Sequence, residues 1–184
     1  MIGRRVLITG EVGVGKTRLT RRLLKEALSR EVQKITVIDM APEVKAVNGV
    51  LAGGRLLEED ELGLRYLGPR QIRTPRLSAK NAEELISLAE ENRSAIEPIL
   101  DQFIHEPTEI LFVNDVSIYL QRGNLERLWS AFTRAKTVVA NGYIGEKLKG
   151  DYGVGLSPRE RRLMEELASR MDLVIPLHGE ELEV

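Results

Sequence analysis

Val6-Leu7-Ile8-Thr9-Gly10-Glu11-Val12-Gly13-Val14-Gly15-Lys16-Thr17 is the stretch on which the fold turns. Its first four residues form a short apolar run halted by Gly10, the pattern of a buried strand. Beyond the glycines, Leu19, Leu23, Leu24, Ala27 and Leu28 recur on one face of a helix between Arg18 and Arg30. Ile35-Thr36-Val37-Ile38 then reads as a second strand, closed by Asp39 and a turn near Pro42. Strand, glycine turn, helix and strand make a βαβ unit.

Gly10 to Thr17 fits G-x-x-x-x-G-K-[ST] at every fixed position. Each residue type has a physical reason. Gly10, Gly13 and Gly15 let the backbone around Glu11, Val12 and Val14 turn its N–H groups inward, onto phosphate oxygens. The helix that starts near Lys16 adds the positive end of its dipole. Lys16 reaches the β- and γ-phosphates as a flexible point charge, and the Thr17 hydroxyl is placed for Mg²⁺. The expected ligand is a nucleoside triphosphate with Mg²⁺. A glycine turn with an incidental lysine would not need a strand before it and an amphipathic helix after it.

Working outward, Asn48 to Leu77 lose the periodicity and gain glycines and prolines. This excursion is expected to be a loop or lid, with room for a small hairpin. Asn81 with Glu84 forms a capping-box pattern, opening a helix that runs towards Phe103 and is expected to kink or break around Pro98. Ile110-Leu111-Phe112-Val113 is another buried strand, ending at Asn114-Asp115. Leu125, Leu128, Trp129 and Phe132 share a helical face, with Trp129 read as core. Thr137-Val138-Val139-Ala140 is a strand stopped by Asn141-Gly142. Ser157-Pro158-Arg159-Glu160 reads as a capping box for a last helix, and Leu173-Val174-Ile175 as a last strand. About five continuous apolar strands alternate with amphipathic helices. The expected fold is therefore a three-layer α/β domain spanning 1–184, with a mainly parallel sheet and helices on both faces.

A phosphate loop normally works with an acid at the end of another strand. Asp115, after Ile110 to Asn114, is the preferred Walker B acid and carries the catalytic expectation together with Lys16. Asp39, in Val37-Ile38-Asp39-Met40-Ala41-Pro42, is its competitor for the metal; both would sit at strand C-terminal ends, where open α/β sheets bind ligands. Many ATPases follow the Walker B aspartate with a water-activating glutamate, whereas Val116 and Ser117 follow here. Either another group orients the water or intrinsic hydrolysis is slow. Asn114 is read as a structural hydrogen-bonding residue.

A guanine-reading [NT]-K-x-D is missing, because Gly142-Tyr143-Ile144 follow Asn141. Asp60-Glu61-Leu62-Gly63 matches D-x-x-G by chance. ATP is accordingly favoured over GTP. Arg65, Arg70, Arg73 and Arg76 of the excursion are read first as a solvated basic loop, with lid or arginine-finger duty as the alternative. Gly150 to Gly155 is a substrate loop or a flexible connection, and neither His105 nor His178 is placed near the phosphates.

Gly10 to Thr17 identifies the chain as a member of the P-loop nucleoside triphosphatase superfamily. Ile110 to Asp115, Tyr119-Leu120-Gln121-Arg122-Gly123, Val138 to Gly142 and Ala168 to Pro176 resemble the corresponding runs of the recombinase-like ATP:cob(I)alamin adenosyltransferases. Val116 departs from that pattern, as does the general form of the phosphate loop. Asp39-Met40-Ala41-Pro42 resembles the Asp-x-Asp-Pro turn of MinD-type ATPases without its second acid.

Composition sets the outer bounds. Apolar residues are 42% and charged residues 30%, as in a globular domain. The net charge of −1 gives no general attraction to nucleic acid or to an anionic membrane. The absence of cysteine removes disulfides, thiolate metal sites and cysteine nucleophiles. No apolar run is long enough for a membrane helix, and Met1 to Arg5 do not open a secretory leader, so a cytoplasmic location is expected. Three functions follow: a nucleoside triphosphatase, a nucleotide-dependent transferase or small-molecule kinase, and a slow nucleotide-sensing module. A protein partner or a second copy of the chain, which could supply an arginine, is left open.

Overall fold

The computed structural model describes residues 3–30, 34–43, 45–47, 50–57, 64–148 and 150–179. The Asp60 to Gly63 match lies outside them. The elements in chain order are β1 (Arg5–Gly10), α1 (Lys16–Ser29), β2 (Ile35–Asp39), β3 (Lys45–Val47), β4 (Val50–Ala52), β5 (Arg65–Leu67), α2 (Pro75–Ser78) and α3 (Ala82–His105). They continue with β6 (Ile110–Asn114), α4 (Val116–Leu120), α5 (Leu125–Arg134), β7 (Thr137–Tyr143), α6 (Leu156–Arg170) and β8 (Leu173–Leu177).

Six strands form one parallel sheet in the order β5-β2-β6-β7-β1-β8, and β3 and β4 make a separate antiparallel hairpin that straddles the start of the expected excursion, β3 lying before Asn48 and β4 within it. The strands are apolar throughout because both faces are covered, and alternate side chains go to different helices. Leu7, Leu111, Val113, Val138 and Ala140 join the core under α3, α4, α5 and α6. Ile8, Val37, Ile110, Phe112 and Val139 join the core under α1, together with Leu56 and Leu57. The three-layer parallel α/β expectation holds. No helix among the described residues is long and apolar enough to cross a membrane.

Four local expectations are corrected. The edge strand β5 and the short helix α4 lie where the sequence pattern gave only loop: a three-residue strand and a five-residue helix are too short to show a period. The third correction concerns α3, which runs through Pro98 as one helix. Leu85, Ala89, Asn92, Ile96, Leu100 and Phe103 are buried along it without interruption, and this stripe outweighs one missing N–H bond. Asn81 does cap α3, accepting the Glu84 N–H at 2.8 Å. Finally, α6 is capped by Gly155, so Ser157 lies inside the first turn and the expected capping box does not form. Its would-be partner Glu160 falls on the same face as Leu156, Leu163, Met164 and Leu167 and is buried with them.

Candidate nucleotide site

The order of the sheet brings the C-terminal ends of β1, β7 and β6 side by side, with β7 between the other two. A cleft of about 300 Å³ opens there. Its near wall is the loop after β1, its floor the ends of β6 and β7, and its far wall Thr74 to Leu77 of the excursion.

The loop has the backbone its glycines allow. Gly13 (φ 81°) and Gly15 (φ 92°) are left-handed, and Gly15 is the N-cap of α1. A Cβ on Gly10 would collide with the carbonyl of Leu177 on β8. The Lys16 ammonium lies across the loop and donates to the carbonyls of Gly10 (2.9 Å) and Glu11 (2.6 Å). Burial pushes its pKa down, against the opposing pull of Asp115 and Glu11. Glu11 faces elsewhere. Its carboxylate accepts N–H groups of Val12, Glu146 and Lys147, tying the loop to the segment after β7. Partial burial would raise its pKa, but those donors hold it below the usual carboxylate range.

Beneath the cleft a row of side chains runs across β7, β6 and β2, of which Asn141 lines the cleft. Asn141 donates to Thr20 Oγ1 and to Asn114 Oδ1, both at 2.9 Å, and accepts the Asp115 N–H at 3.0 Å. Asn114 in turn donates to Asp39 Oδ1 at 2.8 Å and to the Gly54 carbonyl at 2.9 Å. Asn141 is therefore not a strand-end residue. Strand β7 continues to Tyr143 because Asn141 and Gly142 pair with Ile8 and Thr9.

The two candidate acids end in different surroundings. Asp39 is 3% exposed and meets four donors: Ala41 N (3.1 Å), Asn114 Nδ2 (2.8 Å), Leu56 N (2.5 Å) and the Tyr66 hydroxyl (3.0 Å). Burial raises its pKa even against those donors. Its carboxylate fastens β2 to β6 and to the excursion, and it is not among the cleft residues. Asp115 lines the cleft with Lys16 and Thr17. Strand β6 ends one residue earlier, and Asp115 caps α4 in left-handed backbone (φ 59°, ψ 59°). The Ser117 hydroxyl donates to Asp115 at 2.5 Å and accepts the Tyr143 N–H at 3.0 Å. The Thr17 hydroxyl donates to the strand-end side chain of Asn114, at Oδ1, over 3.5 Å.

Of the excursion arginines, Arg76 alone lines the cleft. Arg65 bonds Glu106 and Arg73 bonds Glu91, while Arg70 is exposed. Arg76 is partly exposed as a residue, but its side chain is largely covered and grips the buried Glu160 with both terminal nitrogens, at 2.9 and 3.0 Å. Gln121, at the end of α4, donates to the same carboxylate at 2.8 Å. Lys16 and Arg76 lie 5.9 and 5.2 Å from one ring, that of Tyr143. The sequence signal for this pair was a glutamate on the apolar stripe of α6, which the capping-box pattern obscured. His105 bonds back to the Asp101 carbonyl and His178 follows β8; neither lines the cleft. Trp129 is partly buried against the core.

Gly150 to Ser157 resembles the phosphate loop in the spacing of its glycines and in the left-handed backbone of the last two, although Tyr152 (φ 53°) is left-handed where Val12 is not. Gly-Asp-Tyr-Gly-Val-Gly-Leu-Ser stands against Gly-Glu-Val-Gly-Val-Gly-Lys-Thr, with Gly153 and Gly155 at φ 75° and 76° and a helix starting immediately after. Here Leu156 replaces the lysine. The Asp151 carboxylate accepts the Gly153 and Ser157 N–H groups at 3.0 Å each, so the loop is filled by its own side chain.

The residues present fit Mg²⁺. A hydroxyl and a carboxylate share the cleft, and no cluster of three metal-ligating side chains exists among the described residues. Magnesium keeps most of its shell in phosphate oxygens and water, and needs few protein ligands.

The family model described as "Helicase HerA, central domain" matches residues 1–142. Among solved structures, the flagellar accessory protein FlaH from Methanocaldococcus jannaschii is similar with a TM-score of 0.53 and 12% identity, over 95% of this chain and 71% of that one. Domain III of the replication initiation protein DnaA from Thermotoga maritima gives a TM-score of 0.41 and 15% identity, over 95% of this chain and 54% of that one. No curated protein matches the chain.

Proposed function

The chain belongs to the HerA-helicase central-domain family of P-loop ATPases, and from that premise we propose that it binds ATP with Mg²⁺ in this cleft and hydrolyses it. One observation carries the reading: the glycine loop, Lys16, Thr17 and Asp115 line one cleft at the C-terminal ends of parallel strands. The N–H groups of Gly13 to Thr17 and the Lys16 ammonium take the phosphates. Thr17 and Asp115 would hold Mg²⁺, which when bound neutralises charge on the β- and γ-oxygens. Asp39, with all its acceptor positions met by protein donors, supports that role from behind. ATP is preferred over GTP because no guanine-reading aspartate follows β7 and Asn141 is committed within the sheet. Gly53, Gly54 and Thr74 to Leu77 of the excursion supply the lid side of the cleft.

Titration calorimetry with ATP and with GTP, each with and without Mg²⁺, tests the binding, and phosphate release tests the hydrolysis. Absence of heat with either nucleotide at millimolar levels would sink the assignment. Transfer to a small acceptor is the second reading. It is favoured by a hollow of about 570 Å³ that adjoins the cleft and shares Arg76, Tyr143 and Leu148 with it. Phosphate release without any acceptor selects hydrolysis; turnover only with an added metabolite selects transfer. The family's name speaks of a helicase, so stimulation by DNA belongs in the same assay.

A further inference from the structure

An aspartate that precedes a helix ordinarily turns its carboxylate back onto a backbone N–H two or three residues on. Asp115 precedes α4 and makes no such bond. It stands in left-handed backbone (φ 59°), and among the described residues Tyr152 is the one other non-glycine residue with a positive φ. Backbone of this kind persists only where its surroundings hold it, and it clusters at functional sites.

Two groups on β7 do the holding. The Asn141 side chain accepts the Asp115 N–H at 3.0 Å, and the Tyr143 N–H donates to the Ser117 hydroxyl at 3.0 Å. A hydroxyl has a single hydrogen. With its oxygen engaged by Tyr143, Ser117 gives that hydrogen to Asp115 Oδ1, at 2.5 Å. Among the described residues no other donor meets the carboxylate. Val116 and Ile118 anchor α4 in the core on either side of Ser117, so the hydroxyl is a fixed point. Asp115 itself is half-buried and lines the cleft with Lys16 and Thr17. Burial pushes the pKa of Lys16 down, and Asp115 opposes that shift more than Glu11 does, so the carboxylate acts on the phosphate-binding ammonium.

We propose that Ser117 is the positioning residue for Asp115: its hydroxyl holds the carboxylate out of the helix cap and in the cleft, with one oxygen left open on the metal side. This rests on the reading of Asp115 as a metal-side acid given above. Ser117 meets neither nucleotide nor metal and acts through one hydrogen bond. Partners that orient a metal-binding group are worth about 10- to 100-fold in metal affinity.

Ser117→Ala frees the carboxylate to turn onto the backbone of α4. The Mg²⁺ concentration that half-saturates ATP binding, read by titration calorimetry, should rise by about 10-fold or more, while ATP affinity without Mg²⁺ stays close to that of the parent. Ser117→Cys keeps the size of the side chain with a much weaker donor, and should move the Mg²⁺ requirement in the same direction even if the alanine variant does not fold. Asp115→Asn keeps a residue that tolerates left-handed backbone and removes the charge, so it should raise the requirement too. Ser117→Ala added to Asp115→Asn should then cost nothing more on this measure, because no carboxylate is left to aim. A hydroxyl that only stabilised the fold would cost the same in both backgrounds. A parent-like Mg²⁺ requirement in Ser117→Ala or Ser117→Cys, or the product of the two single losses in the double variant, overturns the proposal and leaves Asp115 as the metal-side acid. A parent-like requirement in Asp115→Asn, or a parent protein indifferent to Mg²⁺, overturns the metal reading and the proposal with it.

Discussion

Replacing Arg76 with methionine removes one half of the buried pair that closes the far wall of the cleft. Glu160 is 2% exposed, and burial pushes its carboxyl up to about 7 from 4.5, with Asp115 adding to the rise and Arg76 and Gln121 opposing it. A folded pKa above the unfolded one means that the native state holds the proton more tightly. Stability from this group is therefore complete below about pH 4.5 and is lost as pH climbs through about 7, by roughly 3 kcal/mol in all. Without Arg76 the carboxyl titrates higher still, so the loss continues where the parent protein has levelled off. Breaking a buried pair costs about 3–5 kcal/mol. That cost should be present at about pH 8 and smaller by roughly 1–2 kcal/mol at about pH 6, where Glu160 is mostly protonated in both proteins. Urea unfolding followed by circular dichroism at the two pH values measures the difference. Arg76→Met with Glu160→Gln should recover most of the stability, since no charge is then left buried. An equal penalty at both pH values, or one below about 1 kcal/mol at the higher, would refute the account of this pair.

Lys16→Ala should abolish most ATP affinity in calorimetry while leaving the unfolding midpoint close to that of the parent. Asp115→Ala should reduce the Mg²⁺ dependence of ATP binding more than Asp39→Ala does; equal or reversed effects would overturn the choice between them. Asp39→Ala should instead show in stability, by about 3 kcal/mol or more, because it removes the acceptor of the buried Leu56 and Ala41 N–H groups and one of the two acceptors of the Asn114 amide. Asn114→Asp sets a second carboxylate against Asp39 Oδ1, where the amide now donates at 2.8 Å; it should unfold more readily at neutral pH and recover on acidification.

The nucleotide loop was legible in the sequence because its requirements are local. Glycines at fixed spacing permit left-handed backbone, and the strand before and helix after show their periods within a few residues. The parallel three-layer sheet was legible for a related reason: strands apolar on both faces can only be buried between helices. Strand order was not. Only the assembled sheet puts β7 between β1 and β6, and with it the buried row from Asn141 through Asn114 to Asp39. That placement surrounds Asp39 with four protein donors and leaves Asp115 lining the cleft. The far wall was equally hidden. Arg76 and Glu160 stand 84 residues apart, on a four-residue helix and on a helix whose first turn read as a capping box. Local patterns record what the backbone does over a turn or two; a bond between distant elements exists only once burial has brought them together and removed the water that would otherwise satisfy each alone.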